Sequence, residues 1–324
     1  MILITAVLIA GALAQDAPLE LARSYTQSLY DGEVDRLWAA FTEEMQGVFG
    51  SQAGLAAFRA QLAEQLGAEA AVLEESFSQD GPFYVYGRVA AFTQFDRPVL
   101  VQWTLQADGS VAGLFVTPAE PAPSAFEAYT TQTALRLPFE GAWFVFWGGR
   151  TLAENYHAAF ADQRFAYDFV VMKDGRTHRG QGEVNEDYYC FGLPVLAPGD
   201  GMVVQAVDGI ADQTPGELNP QAPLGNHVII DHGHGEVSFL AHLQAGSVAV
   251  RAGETVRAGE VVGACGNSGN SSEPHLHYHL QRDAVFYAGA GGEGLPAQFL
   301  NYLADGELVA RGEPRRGQTV QPLE

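Results

Sequence analysis

Residues 250–280 read VRAGETVRAGEVVGACGNSGNSSEPHLHYHL, and the fold turns on how the closing His275-Leu276-His277-Tyr278-His279-Leu280 lies. In an extended chain successive side chains point to opposite faces. His275, His277 and His279 therefore share one face at intervals of about 7 Å, and Leu276, Tyr278 and Leu280 share the other. Such a strand has one side suited to an apolar core and one suited to a polar cleft. Just upstream, Arg251-Ala252-Gly253-Glu254 recurs as Arg257-Ala258-Gly259-Glu260, which reads as two similar turns rather than a repeat architecture. Further upstream the apolar runs at 143–147, 166–172, 201–207, 226–231, 236–240 and 260–264 are short and separated by Gly, Pro, Asn and Asp. Many short strands with turn signals and no long helical period predict a mainly β domain, an antiparallel barrel or sandwich.

All nine histidines fall between positions 157 and 279. Hydrolysis at zinc takes at least three protein ligands and an open position, with His nitrogen and carboxylate oxygen as usual donors. On the strand of alternating histidines, one imidazole can ligate a metal while a neighbour reaches a scissile carbonyl. A second source of ligands is Asn155-Tyr156-His157, followed by Gln163-Arg164-Phe165-Ala166-Tyr167-Asp168-Phe169-Val170. Asp168 lies in an otherwise apolar run, where an unpaired carboxylate is costly and calls for a cation: a metal, or an arginine such as Arg164. His242 closes the apolar run 237–241 as a third polar element. His178, His227, His232 and His234 sit in or beside turns and read as hydrogen-bonding residues. His279 reads equally as support for its neighbours or as a satisfied interior residue.

Residues 140–282 resemble the lysostaphin-type, or LytM-like, zinc endopeptidases that hydrolyse peptide bonds of peptidoglycan. The resemblance rests on the His…Asp element, PVLAPGDGMV at 194–203, GNHVIIDHG at 225–233, AHL at 241–243, and the Gly-Asn-Ser-Gly loop that precedes His275-Leu276-His277. It implies that His157, Asp168 and His277 hold zinc and that His242 and His275 are the two catalytic histidines, acting as general base or acid and as oxyanion donors. One departure stands. The family usually has His-x-x-x-Asp, whereas ten residues intervene between His157 and Asp168. Asp162 is nearer and is the rival ligand; Asp168 is preferred because the family aspartate opens a core strand, as Asp168-Phe169-Val170-Val171 does.

The first half of the chain has another character. Apolar residues recur at helical steps from residue 19 to about 66, the period becomes two after Glu75, and Asp108-Gly109 offers a hairpin turn. This predicts a small α+β domain over 15–118, similar in element order to the cone-shaped nuclear-transport-factor-like folds. It holds no histidine and is expected to position substrate or to bind a protein partner. Residues 117–125, TPAEPAPSA, place a Pro-rich linker at 119–125, with the peptidase domain at 126–303 and a C-terminal tail at 304–324. Residues 1–14, MILITAVLIAGALA, run apolar to a small-x-small end and read as a signal peptide, which implies export to the periplasm or the cell exterior. No other stretch reaches 18 uninterrupted apolar residues, so no membrane span is expected.

Asp and Glu number 39 against 17 Lys and Arg, a formal charge of -22, which argues against a nucleic-acid partner and leaves peptidoglycan peptides to be held by a shaped site rather than by bulk charge. Cys190 and Cys265 are too few for a cysteine zinc site, and their spacing leaves open whether they pair. Two other functions remain in view. Relatives that have lost ligands activate other wall hydrolases, but here every ligand position is filled, so an enzyme is expected. A carbohydrate-binding or lipoyl-like barrel leaves the aligned histidines unexplained.

Overall fold

Four helices followed by four strands build the first of two units, Met1–Glu120; Pro121–Glu324 form the second. The computed structural model describes residues 5–286 and 292–323. The helices are α1 (Thr5–Asp31), α2 (Val34–Ala40), α3 (Glu43–Phe49) and α4 (Gln52–Leu66). Thr42 and Ser51 start α3 and α4 by accepting the backbone N–H of Met45 and Gly54, which satisfies donors that a helix start leaves unpaired. The strands β1 (Glu69–Asp80), β2 (Phe83–Phe92), β3 (Val99–Leu105) and β4 (Val111–Pro118) form an antiparallel sheet in chain order. Alternation along β3 turns Val99, Val101, Trp103 and Leu105 inward, and the last three pack with Leu29, Leu37 and Leu55. The unit is thus α+β. The first four residues of the expected signal peptide lie outside the described residues, and from Thr5 the chain is helical. No helix among the described residues is long and apolar enough to cross a membrane.

The second unit is built on strands β5 (Trp143–Trp147), β6 (Tyr167–Val170), β7 (Pro194–Leu196), β8 (Gly201–Val207), β9 (Asn226–Asp231), β10 (Val237–Leu243), β11 (Thr255–Val256), β12 (Val261–Ala264), β13 (Leu276–Gln281), β14 (Gly294–Leu295), β15 (Phe299–Ala304), β16 (Glu307–Gly312) and β17 (Thr319–Pro322). The main sheet runs β11-β8-β9-β10-β13-β6-β5-β17-β15-β16, with β14 on β13 and a separate pair β12-β7. Every named pairing in it is antiparallel. The two Arg-Ala-Gly-Glu segments are turns of one design. In each the glutamate N–H donates to the arginine carbonyl, its carboxylate accepts the arginine N–H, and the glycine takes a left-handed φ, +90° at Gly253 and +85° at Gly259.

Two boundaries differ from expectation. The expected tail at 304–324 is, over its described residues 304–323, part of the sheet: β17 pairs with both β5 and β15 and buries Val320, because a short strand with an apolar residue on its inner face can extend a sheet edge. Within 119–125, Ala122 is buried, donating its N–H to Ala158 and accepting from Arg164 Nε, so part of the Pro-rich segment is packed onto the second unit.

Glu236, at the turn into β10, is fully buried. It accepts from Tyr129 Oη at 2.8 Å, from the N–H groups of Gln132 and Thr133 at 2.5 and 2.7 Å, and from Thr133 Oγ1. Four converging donors need an acceptor-only group. Glu236→Gln puts an N–H₂ among them and is expected to lower unfolding stability by about 2–3 kcal/mol, read as a lower urea midpoint at unchanged slope. An unchanged midpoint would show that the carboxylate is dispensable there.

Candidate functional site

β6 and β13 are neighbours, and their register sets Asp168 directly across from His277. Tyr167 and Phe169 join Leu276, Tyr278 and Leu280 in the core. By alternation, Asp168, His277 and His279 fall on the opposite face. His277 Nδ1 lies 2.9 Å from Asp168 Oδ1.

His157 comes from a single 3-10 turn, Tyr156–Ala159, whose start is capped by Asn155. Asn155 Nδ2 donates to the carbonyls of Gly149 and Ala166 at 3.2 and 2.9 Å, which orients the carboxamide. Its Oδ1 then accepts the His157 backbone N–H and lies 2.9 Å from His157 Nδ1. Nδ1 therefore carries the proton, and the lone pair of His157 is on Nε2. That Nε2 faces Asp168 Oδ2 at 3.6 Å. Among the described residues, His157, Asp168 and His277 are the group able to share a metal, all buried, with ligand atoms within 4.8 Å of one another. Asp162 is buried but outside this group, and its Oδ1 accepts the N–H of Gln163. Arg164 pairs with Glu127 at 2.7 Å and donates to the carbonyls of Ala122 and Arg150, so the ion pair with Asp168 is not formed.

His242 lies just before the end of β10, where pairing with β9 slips between Leu240 and Leu243. Its φ is +59°, a region that non-glycine residues seldom occupy and that a bulge can impose. The ring centre lies 4.8 Å from that of His275 and 5.7 Å from that of His277. His242 Nδ1 is 2.9 Å from the carbonyl of Ser268, and His275 Nδ1 is 2.8 Å from the carbonyl of Glu273. A carbonyl only accepts, so both rings hold a proton on Nδ1, and His242, kept neutral by burial, presents a bare Nε2. His275 Nε2 stands 3.6 Å from Asp168 Oδ1.

Electrostatics follow from burial and from these neighbours. Burial pushes His157 down to about 3 in spite of Asp168, and burial, with His275 and His277 nearby, holds His242 well below the ordinary histidine value. Both are neutral at pH 7. Burial alone would raise Asp168, but the imidazoles of His157, His275 and His277 outweigh it and keep the carboxyl well below its usual range. The lone pair of His157 thus faces an anionic oxygen with no proton to share between them. Two acceptors held together in a poorly polarisable interior repel, and a cation relieves that. Two imidazole nitrogens and one carboxylate oxygen form a donor set that suits zinc and leaves a fourth position open.

A cleft of about 350 Å³ opens on the group, lined by His157, His242 and His277 together with Tyr156, Phe160, Leu224, Asn270 and Phe286. A larger cavity, about 570 Å³, lies in the first unit and contains no histidine. Cys190 and Cys265 are both buried and unbridged, and Cys190 Sγ donates to the carbonyl of Pro274 beside His275. Sequence reasoning missed the orienting role of Asn155, although an Asn two residues before a histidine at a helix start is a capping signal. The carbonyl anchors of His242 and His275 belong to the main chain and leave no side-chain signature.

Comparison with known proteins adds an independent line. Residues 186–288 match the sequence model of Peptidase family M23. The match contains His242, His275 and His277; His157 and Asp168 lie before it. A protein of Haemophilus influenzae described as an uncharacterized metalloprotease is 38% identical over 144 residues, which are 42% of this chain and 27% of that protein. The peptidoglycan DD-endopeptidase ShyA of Vibrio cholerae is 36% identical over 90 residues, 28% of this chain and 18% of that protein. The chain therefore spans a minor part of the length of these relatives. Among solved structures, the catalytic domain of the antimicrobial peptidase lysostaphin from Staphylococcus simulans is 19% identical, with 47% of this chain and 86% of that chain covered at a TM-score of 0.28.

Proposed function

We propose that this chain, whose residues 186–288 match the Peptidase family M23 model, is a zinc metalloendopeptidase hydrolysing peptide bonds in peptidoglycan stem peptides or cross-bridges. The observation that carries the reading is the buried Asp168 carboxylate facing the bare Nε2 of His157, with His277 Nδ1 beside it and no Lys or Arg among its contacts in the described residues. His157, Asp168 and His277 are the residues that would hold zinc. Bound there, zinc supplies the Lewis acidity that activates water and polarises a peptide carbonyl.

The chain's own groups do the rest. His242 and His275 each have Nδ1–H anchored on a carbonyl, which fixes the ring and stabilises the cation formed when Nε2 takes a proton. One Nε2 takes the proton of the attacking water and returns it to the leaving amine. The other, in the state in which its Nε2 has taken a proton from solvent through the open cleft, donates to the oxygen that gains charge as the carbonyl is attacked and keeps that proton when the carbonyl re-forms. Phe160, Leu224 and Phe286 give the cleft apolar walls that seat side chains and exclude water. Export to the periplasm or exterior, and a positioning or partner-binding role for the first unit, complete the reading. The metalloprotease and peptidoglycan endopeptidase descriptions of the two relatives support its chemical class.

The test is to incubate the zinc-loaded protein with purified muropeptides and identify new ends by mass spectrometry. New amino and carboxyl termini at one kind of peptide bond are expected. Intact muropeptides from a zinc-loaded, folded protein would favour a silent regulator of other hydrolases instead.

A further inference from the structure

The mechanism above gives His279 no task, yet its position is demanding. His277 has one ring nitrogen, Nδ1, beside Asp168 at 2.9 Å, and the other, Nε2, 2.8 Å from His279 Nδ1. Both atoms of the second contact belong to imidazoles, so one carries the hydrogen and the other accepts it. A metal binds only a ring nitrogen that carries no hydrogen. Without a metal the anionic Asp168 only accepts, so His277 Nδ1 carries the hydrogen and His279 Nδ1 donates to Nε2; for His277 to offer Nδ1 to a metal, its hydrogen must stand on Nε2 instead, and His279 Nδ1 must then accept it. His279 then holds its own hydrogen on Nε2.

The surroundings of His279 show that this contact is its polar connection. The residue is 1% exposed, its ring stacks on Phe239 at 4.4 Å, Phe286 lies 6.0 Å away, and its Nε2 has no hydrogen-bond partner among the described residues. A buried unpartnered nitrogen is costly, and an aliphatic side chain would fill the same space between two phenylalanines without that cost. The remaining nitrogen, aimed at His277, is what an imidazole offers here and a leucine does not.

We propose that His279 is a positioning residue for the metal ligand His277: by accepting the Nε2 hydrogen of His277 it holds that ring in the tautomer that leaves Nδ1 open for zinc. The proposal rests on the zinc reading above and concerns how tightly the ion is held. A hydrogen bond to the far nitrogen of a ligating histidine fixes both its tautomer and its orientation, and loss of such a partner typically weakens metal binding about 10- to 100-fold.

The experiment is chelator competition for zinc on the purified whole protein, comparing wild type with His279→Leu and His279→Asn and following thermal unfolding alongside. Leucine fills the site and offers no acceptor. Asparagine sets a carbonyl oxygen near the position of Nδ1. Both lose the stack on Phe239, so a role in packing alone would move the two variants together. The expected result is zinc affinity reduced about 10- to 100-fold in His279→Leu and close to wild type in His279→Asn. Should His279→Leu fail to fold, His279→Met serves the same comparison. Wild-type affinity in the aliphatic variant, or equal loss in both, overturns the proposal while leaving zinc at His157, Asp168 and His277. A wild type that binds no zinc at all would overturn the underlying zinc reading together with it.

Discussion

Asp168→Ala is expected to leave the purified protein without zinc, whereas Asp162→Ala leaves the metal content unchanged. Asp168 sits across from His277 in the β6–β13 register, and its two oxygens face His157 Nε2 at 3.6 Å and His277 Nδ1 at 2.9 Å. Removing it takes away the anionic member of the proposed three-ligand set, and two neutral imidazoles alone would hold zinc too weakly to survive gel filtration. Asp162 accepts a main-chain N–H next to it and lies outside the group, so its loss costs local structure and no ligand. Metal analysis after desalting, with thermal unfolding as a control for folding, separates the two. Zinc lost from Asp162→Ala and kept by Asp168→Ala would move the ligand assignment to Asp162.

The second large effect separates the histidines by task. His242→Ala and His275→Ala are expected to keep zinc and lose turnover by a factor of about 100 to 10,000, the usual consequence of deleting one acid-base group or oxyanion donor. His277→Ala should lose zinc and activity together. The distinction comes from the anchors: His242 and His275 are held by carbonyls through Nδ1, which leaves Nε2 for proton exchange, that of His275 standing 3.6 Å from Asp168 Oδ1, while both nitrogens of His277 make hydrogen bonds, with Asp168 and His279. Equal zinc loss in all three variants would mean that ligands and proton carriers have been confused. Full turnover in His275→Ala would exclude it from proton transfer.

Much of this was legible because periodicity speaks directly about faces. The alternation His275-Leu276-His277-Tyr278 sorts core from cleft without any knowledge of neighbours, and the same holds for Tyr167-Asp168-Phe169. The change from helical steps to period two after Glu75 marked the α+β unit for the same reason. What could not be read is pairing between distant segments: nothing local says that Asp168 lies opposite His277, 109 residues away, or that β10 slips to turn His242 toward β13. The strand Thr319–Pro322 escaped notice because four residues ending in proline show too little alternation, and its place is set by the partners β5 and β15. The ten-residue gap between His157 and Asp168 is bridged by the capped turn at 156–159 and the loop beyond it, a geometry fixed by Asn155 contacts with main-chain carbonyls.

In the proposed reading, zinc at this cluster is what would make the chain a peptidoglycan endopeptidase, so a single titration can couple metal to turnover. The protein is stripped with a chelator, zinc is added back in measured steps, and cleavage of a purified cross-linked muropeptide is followed at each step. No cleavage is expected from the stripped protein, and turnover is expected to rise and level off at one zinc per chain. Cleavage that persists without metal, or zinc binding at one per chain with no cleavage at any step, would contradict that reading.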